Sequence, residues 1–367
     1  MAEVRAPRVR TARPSSPLRL ALSAVVVAAI AGATAYGLDA WQHPPAGGTR
    51  AAAVPVSAQG AGRIAGAVAD RSVIEAAPRI VFRHTGLDAR YGQVAEVALA
   101  DPAGPRAFTG VDCDRVYARP GVATCLRTQT GVSTSYQADD LVTTPGADWR
   151  QTVSVPLPGI PSRTRLSPDG TLAASTVFVT GDSYMTTGFS ARTIIRHAGS
   201  TSVDDLEKFL IVMHGRQVRP RDRNIWGVTF APDDRTFYVT LATGGRTYLA
   251  RGDLAARTIT TIADHVECPS LSPDGTRIAF KQARTDRARG SWWTPAVLDL
   301  ATGRRTVLTA ETHTVDDQIE WLDDHTLLYG LARENQGGVD DVWALNAAGH
   351  GAPRVLIPDA WSPAVIR

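Results

Sequence analysis

Four related segments recur along the chain, and they constrain its fold more than any other feature. LSPDGTLAAS (166–175), FAPDDRTFYVT (230–240), LSPDGTRIAFK (271–281) and WLDDHTLLYGL (321–331) share one plan: an apolar residue, a turn with one or two acidic residues, then an alternating strand. Pro fixes φ in such a turn, Asp hydrogen-bonds the backbone beyond it, and Gly supplies the positive φ where the chain reverses. The middle two units continue into a second strand and a polar turn, RTYLARGDL (246–254) and PAVLDLATG (295–303). Strand, acidic turn, strand, strand, polar turn is one blade of an antiparallel propeller. The runs RIVF (79–82), QVAEVALA (93–100) and RVYA (115–118) have the same short, β-prone texture.

Spacing sets the blade number. The turns at 167, 231, 272 and 322 lie 64, 41 and 50 residues apart, and propeller repeats run about 40–50 residues. The longest interval contains VDDLEKF (203–209), which predicts a short helix capped by Ser202 with Asp204 and Asp205 in its first turn. Residues 79–367 provide 289 residues, or six repeats of about 48. The last run, SPAVIR (362–367), matches the start of a repeat but lacks its remaining strands. It is expected to complete the blade begun near Arg79 and so cover open sheet edges. The expected fold is all-β: a six-bladed antiparallel β-propeller closed by the C-terminal strand.

The SPDG turns followed by RIAFK, and then VLDLATG, resemble the WD-like propeller repeats of the TolB family. The strings NIWGVTFAPDD (224–234), VECPSLSPDGTRIAFK (266–281), VDDQIEWLDD (315–324) and AWSPAVIR (360–367) are similar to a membrane-anchored actinobacterial subset of TolB-like proteins. The resemblance covers about residues 79–367. It implies a non-catalytic module that engages a protein or peptide partner, although a propeller as such is a scaffold with many uses.

The N-terminal part reads differently. Leu20 to Leu38 is a 19-residue run without a charge; as a helix it spans about 28 Å, close to the hydrocarbon thickness of a bilayer. Arg5, Arg8, Arg10, Arg13 and Arg19 precede it and Asp39 follows. The positive-inside rule then leaves residues 1–19 as a basic cytoplasmic tail and places everything after Leu38 outside. The expected organisation is that tail, a transmembrane helix (signal anchor) at 20–38, a flexible linker at 39–78 and the propeller at 79–367. A cleaved signal peptide is the alternative, because Ala33-Thr34-Ala35 has the small-x-small form of a cleavage site. Of the net charge of +3, residues 1–19 carry +4, which leaves −1 for the remainder. A nucleic-acid-binding domain needs positive charge on its folded surface, so no nucleic-acid partner is expected.

Three cysteines are present. Cys113 and Cys125 flank Arg119-Pro120-Gly121, a good turn, and a hairpin centred on Arg119 sets the two opposite each other. An exported domain permits a disulfide there. Cys268 is left as a buried free thiol at the start of an inner strand. The cysteines show no CxxC spacing, so no metal site is expected.

Signals for catalysis are missing. No G-x-S-x-G, GxxxxGK[ST] or HExxH motif occurs, and the eight histidines are scattered. No catalytic residue and no cofactor is expected. Asp316 and Asp317 stand apart from the repeat turns, in the segment leading into an inner strand. The equivalent segments hold Glu267 and Asn224. In a propeller such positions converge on one mouth of the central channel, so Asn224, Glu267, Asp316 and Asp317 form a polar cluster there, with Arg163 and Arg223 near it. The cluster is either ordinary hydrogen bonding of strand ends or a ligand or partner site. Trp226, Trp321 and Trp343 read as blade packing. The expected function is a membrane-anchored, extracytoplasmic, non-catalytic scaffold for an envelope protein or peptide partner. The alternatives are a small-ligand or glycan sensor at the channel mouth, and a carboxylate-dependent glycosidase or lyase, which needs paired carboxylates. Topology is directly testable: a reporter fused after Arg367 is expected to be active only outside the cytoplasm, and cytoplasmic activity would contradict the anchor.

Overall fold

The computed structural model describes residues 68–179, 190–286 and 290–367; the basic tail, the apolar run 20–38 and the linker up to residue 67 lie outside the described residues. Among the described residues no helix is long and apolar enough to cross a membrane.

Six antiparallel sheets form the blades. Blade 1 is made of β1 (Arg79–His84), β2 (Gln93–Ala98), β3 (Ala107–Asp112) and the C-terminal β26 (Ala360–Ile366). Blade 2 holds β4 (Arg115–Arg119), β5 (Gly121–Gln129), β6 (Ser135–Thr143) and β7 (Arg150–Leu157). Blade 3 holds β8 (Ile160–Leu166), β9 (Leu172–Val179), β10 (Ser190–His197) and β11 (Asp204–Asp205). Blade 4 holds β14 (Asn224–Phe230), β15 (Thr236–Thr243), β16 (Arg246–Asp253) and β17 (Thr258–Asp264), with the hairpin β12 (Leu210–Met213) and β13 (Arg216–Val218) added at its outer edge. Blade 5 holds β18 (Glu267–Leu271), β19 (Arg277–Asp286), β20 (Gly290–Asp299) and β21 (Arg305–Val307). Blade 6 holds β22 (Glu320–Asp323), β23 (Thr326–Ala332), β24 (Asp340–Asn346) and β25 (Arg354–Ile357). The six inner strands β26, β4, β8, β14, β18 and β22 contact one another in that order and close a ring. They run in one direction, so their starts form one mouth of the channel, here the upper mouth. Their acidic turns surround the lower mouth.

The repeat turns work as their residue types require. The Asp169 carboxylate accepts hydrogen bonds from the Ser167 hydroxyl and from the Thr171 amide at 2.9 Å, while Gly170 takes φ +78°. Slight burial acts against ionisation, but these bonds outweigh it and hold Asp169 at about 2. Asp274 repeats the arrangement with Ser272 and Thr276.

Inner strands are bulged. The register of β14 against β15 shifts between Trp226 and Thr229, and that of β18 against β19 between Glu267 and Ser270. A bulge re-aims side chains at a strand start. Gly227 shows the steric demand: it has φ +71°, and a Cβ there would meet the Cα of Cys268 at 2.9 Å.

The helix expected at 203–209 is not formed. Asp204 and Asp205 pair with β10, and only a single 3-10 turn, Leu206–Lys208, follows, with Asp205 rather than Ser202 accepting the capping bond from Glu207. Leu206 and Phe209 are both buried in the apolar core shared with β14, and a 3-10 turn brings two such residues to one face. The hairpin β12–β13 fills the rest of the long interval, with β12 running parallel to β17.

Cys113 and Cys125 form the expected disulfide, with Cα atoms 5.5 Å apart. The geometry differs from the expectation. The hairpin pairs Val116 with Cys125, so its centre lies past Arg119, and Cys113 reaches in from before β4. Cys268 is free and buried at the start of β18.

Ring closure is as expected: β26 pairs antiparallel with β1, Ile80 opposite Val365 and Arg79 opposite Ile366. Val365 and Ile366 are buried, Val365 among the core residues shared with blade 6 and Ile366 among those shared with blade 2. Burying two such side chains stabilises by roughly 3–6 kcal/mol, and the backbone pairing adds to this. Deleting residues 361–367 is expected to lower the melting temperature by at least about 10 °C; a shift of a degree or two in a thermal melt would rule out the closure.

Candidate functional site

The upper mouth is crossed by residues 316–320 of blade 6, each of which reaches a different part of the ring. Asp316 accepts from Arg163 of β8 at 3.3 Å and pairs with Lys281 of β19. Asp317 accepts from Arg115 of β4 at 3.0 Å and from the Gly330 amide of β23 at 3.1 Å. Gln318 donates to the carbonyls of Val228 and Pro269 at 2.9 and 3.1 Å, and so ties in blades 4 and 5. Glu320 pairs with Arg165 of β8 and accepts from the Tyr117 hydroxyl of β4 at 3.2 Å. Blade 3 stands opposite blade 6, so the Asp316–Arg163 and Glu320–Arg165 pairs span the channel and fill it. The space left beneath Asp317 is a cavity of about 20 Å³, room for about one water.

Asp316 and Asp317 lie just before β22, with a bend at Asp317, and their side chains take different partners. The Asp316 side chain is 60% exposed, whereas Asp317 is buried. Burial raises the Asp316 pKa, but the Lys281 ammonium and then Arg163 and Arg115 outweigh it and hold the carboxyl below its usual value. Glu267 lies at the start of β18, accepts from the Trp293 indole at 3.2 Å and is pushed upward by burial, partly offset by Lys281. Asn224 lies at the start of β14 and accepts from the Ala191 amide at 2.9 Å, which ties blade 4 to blade 3. Arg223 is not part of the cluster: its guanidinium donates to the carbonyls of Glu207 and Pro220 at 2.9 and 3.0 Å, beside the 3-10 turn. The expected grouping therefore holds for Asp316, Glu267 and Arg163, with Asp317 alongside, while Asn224 serves a neighbouring seam and Arg223 the blade 4 insertion.

Sequence reasoning missed Lys281, Arg115, Glu320, Arg165 and Tyr117. Lys281 carried a signal, since only two lysines occur in a chain so rich in arginine. The others lie within strand runs, where nothing marks which face of the strand is the channel.

Around the mouth, cations stack on aromatic rings. Lys281 lies 4.7 Å from the Trp293 ring centre, Arg115 4.6 Å from Trp361 and Arg83 4.7 Å from Tyr91. Arg284 over Trp292 at 5.8 Å extends the series outward. Trp226 and Trp321 are buried in the blades, and Trp343 packs on the core of blade 6. Among the described residues no group of three or more His, Cys, Asp or Glu is placed to hold a metal ion.

The ring is similar to the crystal structure of TolB from Acinetobacter baumannii, with a TM-score of 0.51 and 17% identity over 79% of this chain and 67% of that one. In fold, the chain is a TolB-like propeller. A protein of a nidogen/laminin complex is similar at a TM-score of 0.50 and 12% identity, covering 78% of this chain and 98% of that one. A Mycobacterium tuberculosis puromycin-hydrolyzing peptidase aligns at a TM-score of 0.47 and 13% identity, over 77% of this chain and 43% of that one. No family model and no curated protein matches the chain. At these identities the likeness concerns the fold alone.

The two aspartates separate in a stability measurement. Asp317→Asn removes the carboxylate paired with the shielded Arg115 and is expected to cost about 3 kcal/mol; Asp316→Asn is expected to cost less, because Asp316 is itself exposed and Glu267 remains as a countercharge for Lys281 and Arg163. Because the folded pKa of Asp316 is lowered, its contribution is present above the ordinary carboxylate range and is lost as pH falls through the folded value. Denaturant titrations should therefore show the Asp316→Asn penalty at neutral pH and its disappearance in acid; equal penalties for the two variants would contradict the assignment.

Proposed function

We propose that the chain is a non-catalytic binding scaffold, tethered to the membrane by residues 20–38 and presenting the upper face of an extracytoplasmic propeller to a protein partner. The observation that carries this reading is the ring of Trp292, Trp293, Trp361 and Tyr91 with their stacked cations around the plugged channel. Trp, Tyr and Arg are the residue types that dominate binding energy at protein interfaces. Stacking holds their side chains in place beforehand, so less conformational entropy is lost on docking. The uncharged 19-residue run after five arginines supports the tether.

A second reading has one observation behind it. Glu267 is pushed up and Asp316 down, the split expected of a general acid and base. Against it, Asp316 is bound to Lys281 and Arg163, which hold it as a paired carboxylate. The binding reading therefore leads.

The test is crosslinking of the full-length chain in its native membrane, followed by identification of what is captured. Trp292→Ala and Arg284→Ala together are expected to reduce capture of a specific protein at least about tenfold, or ~1.4 kcal/mol, with an unchanged melting curve. Capture that is indifferent to both substitutions would sink the upper-face assignment.

A further inference from the structure

The lower mouth contains a cavity of about 320 Å³ to which all six inner strands contribute. This lies in the usual range for small-molecule sites. Its floor is the Arg165–Glu320–Tyr117 group that plugs the channel from above. Its walls combine an apolar part, from Leu166, Phe230, Leu271, Trp321 and Ile366, with a polar part of similar extent from Arg119, Arg367, Thr229 and Ser272.

The charge of the lining is unbalanced. Three guanidiniums, of Arg119, Arg165 and Arg367, face one carboxylate, that of Glu320. Glu320 is already engaged by Arg165 and Tyr117. Among the described residues neither Arg119 nor Arg367 forms an ion pair. Arg119 donates to the Val365 carbonyl at 3.2 Å, and Arg367 to those of Trp321 and Leu322 at 3.0 and 2.7 Å. The Arg119 guanidinium also stacks on the Tyr117 ring at 5.0 Å, and its buried Nε makes no hydrogen bond. A terminal carboxylate on Arg367 would reduce the excess to one positive charge without removing it. The contrast with the upper mouth is direct: there Arg115 and Arg163 both hold a carboxylate.

We propose that the lower mouth binds a small monoanion, a carboxylate carried on an aromatic or branched aliphatic body. The carboxylate lies against Arg119 and Arg367, where charge-assisted hydrogen bonds to their terminal guanidinium nitrogens are stronger than those now made to neutral carbonyls. The apolar body lies against Trp321, Phe230 and Ile366, which lose water on binding. A divalent cation does not fit, because the one carboxylate is occupied and the guanidiniums repel it. A neutral sugar does not fit either, because it leaves the excess positive charge unpaired. This site is separate from the partner face on the far side of the plug, so the two proposals stand or fall independently.

The experiment is calorimetric titration of the full-length chain in detergent with phenylacetate and 4-methylvalerate, and with their neutral amides as charge controls. Saturable binding of at least one carboxylate at about millimolar or tighter affinity is expected. Its amide should bind at least about tenfold more weakly. Arg119→Gln and Arg367→Gln should each weaken the carboxylate to a similar degree, while Glu334→Gln in the exposed turn between β23 and β24 leaves it unchanged. Arg367 is exposed at the rim, so that variant carries the test if Arg119→Gln fails to fold. Absence of saturable binding by either carboxylate, equal affinity for acid and amide, or unchanged affinity in Arg367→Gln and any folded Arg119→Gln overturns the proposal.

Discussion

The strap of residues 316–320 across the channel is the constraint on which the centre of the ring depends. A propeller channel is lined by strand edges and polar side chains, and water or ligand must satisfy them if the protein does not. Here one short segment of blade 6 does so. Two of its carboxylates pair with guanidiniums from the opposite blade, another meets Arg115 of blade 2, and one amide side chain bonds two inner-strand carbonyls. Buried pairs of this kind add little net stability, because desolvation offsets the attraction, but removal of one partner is costly. They fix how the blades are arranged around the axis more than they strengthen the ring.

The same strap divides the channel into two unlike ends. Above it, Arg115, Arg163 and Lys281 meet Asp316 and Asp317, and stacked aromatic rings surround the mouth. Below it, the floor is neutralised but two arginines at the rim hold only backbone carbonyls, beside apolar walls. A face of stacked Trp, Tyr and Arg suits a protein surface, and a pocket with surplus positive charge suits a small anion. One scaffold can serve both because the strap isolates them.

The blade count and the closing strand were legible because they follow from local chemistry. Each SPDG-type turn needs Asp to accept backbone and hydroxyl hydrogen bonds and a residue of positive φ, and both demands leave a mark in the sequence. Blade 2 turns through Arg119-Pro120-Gly121 instead and has no acidic turn, so it was marked only by the β-prone run 115–118, that turn and the spacing. The segment 203–209 misled because its acidic start and apolar spacing fit a helix, while in the structure pairing of Asp204 and Asp205 with β10 and burial of Phe209 decide its form. The disulfide was legible as a pair but not in register, since the hairpin closes past Arg119.

The sequence by itself determined that the chain forms a ring of antiparallel blades, that its last strand returns to its first, that Cys113 and Cys125 pair, and that Asp316 and Asp317 differ from the turn aspartates. Turn chemistry, strand alternation and spacing are local properties, and local properties are written in consecutive residues. Only the tertiary structure decided which arginine meets which carboxylate, because Asp316 and Arg163 lie 153 residues apart and meet only once the ring has closed. It likewise decided that Arg223 leaves the mouth, that Lys281 and Arg115 enter it, and that a cavity lined by all six inner strands lies at the end opposite the one the acidic residues marked. Strand periodicity distinguishes one face from the other, but not which charged side chain points along the axis. That depends on bulges at the strand starts and on neighbours brought in from other blades.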